Sequence, residues 1–115
     1  MVAWADVERV ALALPETRRG EAHSGEPAVL VRSTIFARSR EEGAVLQFWV
    51  ADPDLVQAYV ESDGATYRGA AGYSRTVVMA RLSGLDESDL REVLAESWRA
   101  RATATLRKRH ADAVG

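Results

Sequence analysis

The sequence has no cysteine, which excludes disulfides, thiol nucleophiles and thiolate metal sites. It has two histidines, His23 and His110, and no spacing that adds a third ligand to either, so no metal and no cofactor is expected. No apolar run approaches the roughly 20 residues a membrane helix needs. The first residues show no basic stretch leading into an apolar core, so no signal peptide is expected and the chain reads as cytoplasmic. An excess of positive charge is missing as well: the formal net charge is -2, unlike the strongly basic balance of many nucleic-acid-binding domains. Lysine is nearly absent, Lys108 being the only one among fifteen Lys and Arg residues. Arginine in its place suits bidentate phosphate or carboxylate contacts, and a coding bias towards Arg and Ala accounts for it equally.

Catalytic motifs are lacking too. Neither Ser24-Gly25 nor Ser74 sits in a nucleophile elbow. Gly69-Ala70-Ala71-Gly72 lacks the Lys-Ser/Thr ending of a phosphate loop and is not followed by a helical pattern. Glu41-Glu42 reads as solvated turn charge. An enzyme with its own active site is not expected.

What is present describes one α+β domain over residues 1–115. The 115 residues suffice for a core without staples, and 47% are hydrophobic against 28% charged. Trp4, Val7, Ala11 and Leu14 recur at helical spacing from Val2 to Leu14, and Pro15 stops that helix. Glu16 to Glu26 reads as a polar loop. Strands are expected at Ala28–Arg32 and Thr34–Ser39 around a tight turn, then at Ala44–Val50 after Gly43, which supplies a positive φ. Asp52-Pro53 opens a middle helix that ends at Ser62-Asp63-Gly64. Ala65–Arg68 suits a short strand and Arg75–Leu82 a strong one. Asp86 and Asp89 form a capping-box-like start to a long last helix with a stripe of Leu90, Val93, Leu94 and Trp98. Beyond Ala102 the tail is expected to fray or form a short separate helix. The expected architecture is two layers: a mainly antiparallel sheet of about five strands with N-terminal, middle and long C-terminal helices on one face.

The period of two along the strands sends Leu46, Phe48 and Val50 towards the helices and Gln47 and Trp49 away from them. Met79 and Arg81 face outward on the same reasoning. An outward aromatic beside an arginine suits base stacking or phosphate contact, whereas a dimer partner or a second small core would cover it. The last helix carries its acids first and Arg99 and Arg101 late, and Arg107, Lys108 and Arg109 follow. That order suits the helix dipole by itself, and it also offers a basic end to phosphates. His23 fits either a structural loop residue or a binding residue.

Ala13-Leu14-Pro15-Glu16, the His23 to Pro27 bridge, the hairpin through Phe36-Ala37, Asp52-Pro53, Arg75 to Leu82 and Leu90 to Trp98 together resemble the MmcQ/YjbR family. The resemblance spans nearly the whole chain. It implies a compact α+β domain related in shape to the frataxin/CyaY type, and a DNA-binding role through a double wing of hairpins. The leading expectation is a non-catalytic DNA-binding or regulatory protein using Arg32, Arg38, Trp49, Arg81, Arg99, Arg101, Arg107, Lys108 and Arg109. The alternative is a small protein-interaction or ligand-binding domain, a homodimer through the exposed sheet face. Metal handling would need an acidic ridge on the first helix, where Arg9 interrupts a sparse Asp6 and Glu8.

Overall fold

The computed structural model describes residues 2–114. Helix α1 (Trp4–Leu12) leads into strands β1 (Thr17–Glu21), β2 (Pro27–Val31), β3 (Thr34–Arg40) and β4 (Val45–Trp49). Helix α2 (Pro53–Ser62) follows, then β5 (Tyr67–Ala70), β6 (Ser74–Arg81), α3 (Glu87–Arg101), α4 (Ala104–Arg109) and α5 (Ala111–Val114). All six strands form one antiparallel sheet in the order β1-β2-β3-β4-β6-β5. The class and layering match the sequence reading, with six strands in place of about five.

The added strand is β1, inside the segment read as a loop. Thr17-Arg18-Arg19-Gly20-Glu21 has no apolar residue, but it pairs through its backbone with β2 from Thr17–Val31 to Glu21–Pro27. It is an edge strand protected by charge rather than marked by hydrophobicity. A Cβ at Gly20 would meet Leu30 Cδ1 at 2.4 Å, so a larger residue there would have to displace the end of that side chain.

The helix boundaries follow local chemistry. Asp52 Oδ1 accepts from the Asp54 and Leu55 amides at 2.9 and 3.3 Å, with Pro53 in the first helical position. Asp86 and Asp89 satisfy each other's backbone N–H groups at 2.8 and 3.0 Å. Gly43 takes φ +91°, as its turn requires. After α3, Ala102 leaves the helical region (ψ 151°) and Thr103 Oγ1 caps α4 by accepting from Leu106 N–H at 3.2 Å. The tail is therefore two short separate helices, α4 and α5, anchored by the buried Leu106.

The main core lies between the sheet and the helices: Phe36, Leu46, Phe48, Val78, Ala80, Leu90, Val93, Leu94 and Trp98 are all essentially inaccessible. At its centre a register shift in β3 skips Phe36, because Leu30 pairs with Ile35 and Val29 with Ala37. Ser97, fully buried on the apolar stripe of α3, fills the resulting opening. Its Oγ donates to the Phe36 carbonyl at 2.5 Å and accepts from the Trp49 N–H at 2.9 Å.

On the opposite sheet face the structure bears out the second-core reading rather than the open binding face. Val45, Trp49, Val77 and Met79 form a second small cluster, with Ile35, Ala70 and Ala100 packed against it. Trp49 is 9% exposed. It therefore belongs to a core and not to an open stacking platform.

Ser97→Ala should leave a buried amide and carbonyl unpaired and lower stability by about 1–3 kcal/mol. Urea unfolding with an unchanged m-value would check this, and a midpoint equal to wild type would refute it.

Candidate nucleic-acid interface

The last turn of α3 and the whole of α4 bring Arg99, Arg101, Arg107, Lys108 and Arg109 to one end of the molecule. The turn between β2 and β3 brings Arg32 to the same end, and β1 adds Arg18. Hydrogen bonds join these elements to one another. Arg101 Nε donates to the Ile35 carbonyl at 2.9 Å, just past the β2–β3 turn. Arg18 Nε donates to the Arg32 carbonyl at 3.2 Å. Arg107 Nη1 donates to the Ala102 and Arg99 carbonyls at 2.6 and 3.2 Å, and Arg99 Nη1 to the Val114 carbonyl at 3.3 Å. A backbone carbonyl holds a guanidinium in place without cancelling its formal charge. These four arginines are thus positioned and still cationic.

Among the described residues, the one carboxylate paired with this group is Glu16. It sits at φ +58°, in the left-handed region that side chains seldom adopt, directly after Pro15. Its Oε1 accepts from Arg32 Nε at 2.9 Å, and its Oε2 lies 2.7 Å from His110 Nε2 and 3.6 Å from Arg109 Nη1. The hydrogen bond from His110, then that from Arg32, hold the Glu16 carboxyl below its ordinary pKa. Arg101 shows the reverse pressure. Burial lowers its pKa, although a guanidinium remains charged at neutral pH. Its carbon Cζ lies 4.5 Å from the centroid of the Trp49 ring, a cation–π arrangement.

Five of the nominated residues are tied in by contacts: Arg32 and Arg109 meet at Glu16, Arg107 is held on the Arg99 carbonyl, and Arg101 lies on the Ile35 carbonyl with Trp49 beneath it, while Lys108 is exposed on α4. Arg38 and Arg81 do not join them. Arg38 is 17% exposed on the second sheet face, where it binds Glu26 Oε1 at 2.8 Å and Ser24 Oγ at 3.0 Å and so pins the β1–β2 loop. Arg81 pairs in register with Val45, while Trp49 pairs with Val77. That places Arg81 about 13 Å along the strand from Trp49, on the rim of a separate groove of about 470 Å³ with Arg68 and Glu41. His23 is exposed in the β1–β2 loop and lies with Arg38 and Glu26, away from the cationic end.

Arg18, Glu16 and His110 escaped the sequence reading. No motif marks them. Arg18 lay in the missed edge strand, and the other two meet across 94 positions of chain. Among the described residues no group of three His, Asp or Glu side chains could hold a metal ion, and no helix is long and apolar enough to cross a membrane.

The arrangement defines a helix-backed antiparallel sheet domain with a fixed cationic end. Its family is shown by sequence: the YjbR family profile matches residues 12–100, and the chain belongs to the YjbR family. The match includes Arg18, Arg32 and Arg99 and stops before Arg101 and α4. No curated protein and no solved structure shows a significant match.

Because the folded pKa of Glu16 is depressed, its contribution is fully present above the ordinary glutamate value of about 4.3 and is lost as pH falls through the lower folded value. Glu16→Gln should therefore flatten the acid limb of a plot of Tm against pH. Superimposable limbs in variant and wild type would show that the contact does not stabilise the fold.

Proposed function

We propose that this chain is a non-catalytic DNA-binding protein that holds the phosphate backbone at its cationic end. The observation that carries this reading is a linked set of arginines in a chain of net charge -2: Arg32 and Arg109 meet at Glu16, Arg18 is held on the Arg32 carbonyl, Arg101 on the Ile35 carbonyl and Arg107 on the Arg99 carbonyl. Net charge averages over the whole surface, whereas phosphate recognition depends on where the cations are. Arginines oriented by backbone carbonyls keep further N–H donors for phosphate oxygens. The likeness to a family associated with DNA binding points to the same ligand.

Binding that neutralises phosphates releases counterions, so affinity falls steeply with salt, by close to one unit of logarithmic slope per duplex phosphate contact. A labelled DNA duplex titrated by fluorescence anisotropy should bind at about 50 mM salt and weaken sharply by about 200 mM. Lys108 is exposed and takes part in no salt bridge among the described residues. Lys108→Gln should lower the salt slope by about one while leaving the thermal midpoint unchanged. Arg91→Gln, on the acidic half of α3 where Arg91 pairs with Glu87, should leave the slope as it is. No binding of either the duplex or a single strand at low salt, or binding indifferent to salt, would sink the reading.

A further inference from the structure

Tyr73 is the one large hydrophobic side chain that is exposed among the described residues, at 62%. It stands in the tight turn between β5 and β6, where its N–H donates to the Ala70 carbonyl at 2.8 Å. Ala70 packs against the second cluster, which contains Trp49. The guanidinium of Arg101 lies over the Trp49 ring. The turn therefore leads out of the same small cluster that Ala100 packs against and over whose Trp49 the Arg101 guanidinium lies. The turn itself is open: a Cβ at the neighbouring Gly72 would meet nothing within 4 Å. The side chain of Arg75, exposed two residues further on, makes no hydrogen bond or ion pair among the described residues. An uncovered aromatic face with an exposed arginine two residues away has the composition of a base-stacking platform.

We infer that the strand held at the cationic end is single-stranded DNA, with an unpaired base stacked on Tyr73 and its phosphates on Arg101 and the arginines beyond it. This rests on the phosphate-binding reading above and deepens it. In a duplex each base is stacked on both faces by its neighbours, so a side chain standing on a turn meets only the outer edge of the helix. A single strand can splay a base out and offer its π face. The cations alone bind either form. Tyr73 is the feature that distinguishes them.

The test compares a labelled single strand with the duplex of the same sequence, by anisotropy at low salt, for wild type, Tyr73→Ala and Tyr73→Phe. The expected result is tighter binding of the single strand. Tyr73→Ala should lose about tenfold on the single strand and little on the duplex, and Tyr73→Phe should retain wild-type affinity. Equal or tighter duplex binding, or a Tyr73→Ala variant that binds the single strand as wild type does, overturns the stacking inference and leaves phosphate binding standing. Failure of both nucleic acids to bind the wild-type protein overturns the phosphate reading and the inference together. Because Tyr73 is uncovered, its variants should keep the wild-type melting temperature, so a loss of affinity is not a loss of fold.

Discussion

The hydroxyl of Ser97 holds the two layers of this protein in their relation to each other. The skipped residue Phe36 leaves a carbonyl without a ladder partner, and the β3–β4 pairing runs out beyond Ala37 and Phe48, leaving the Trp49 amide facing the gap. One oxygen answers both groups, at 2.5 and 2.9 Å. A buried backbone donor and acceptor would each carry a desolvation penalty if left alone. A methyl group in place of the hydroxyl meets neither need. The register of α3 on the sheet is thereby set by a polar contact, and the apolar stripe of Leu90, Val93, Leu94 and Trp98 packs around it.

The position of the cationic end follows from that register. Arg101 comes one helical turn after Ser97, and this separation carries its guanidinium past the strand ends, onto the Ile35 carbonyl and over Trp49. Ala102 then breaks the helix, and α4 turns back with Leu106 buried and Arg107 closing on the carbonyls of α3. Glu16 ties this turn to the β2–β3 hairpin through Arg32, Arg109 and His110. The Glu16 carboxylate offsets part of the repulsion between Arg32 and Arg109. Each exposed pair is worth little. What Glu16 supplies is placement.

Much of this fold was legible in the sequence, and the exceptions share a cause. Periodicity and capping located the helices and the strands from β2 onward because those elements bury one face, and burial writes a pattern into the chain. Strand β1 buries almost nothing, and its pairing is through the backbone, so Thr17 to Glu21 carries no pattern to read. The alternation in β4 correctly separated Leu46 and Phe48 from Gln47 and Trp49, but period alone cannot say whether the second face meets solvent. It does not, because Arg101 and Ala100 reach round the strand ends from α3. The cationic end was half legible. Arginines near the C-terminus stood out by composition, whereas their meeting with Arg18, Arg32 and Glu16 depends on tertiary closure. Ser97 did leave a sign: it is a small polar residue on an otherwise apolar stripe, and such a position calls for a buried partner.

The charge order along α3 serves two ends at once. Acids in the first turns and arginines in the last complement the helix dipole and stabilise the helix without any ligand. The same order separates charge across the molecule, since the acidic N-terminal half of α3 lies at the far end of the helix from α4. A domain of net charge -2 with such a separation carries a dipole, and a dipole orients the molecule in the field of a polyanion before contact. Repulsion between the acidic end and phosphate also disfavours encounters in the wrong orientation. Uniform basicity would attract nucleic acid to every face. On the proposed reading, separated charge would direct it to the end where the arginines are already held by backbone carbonyls.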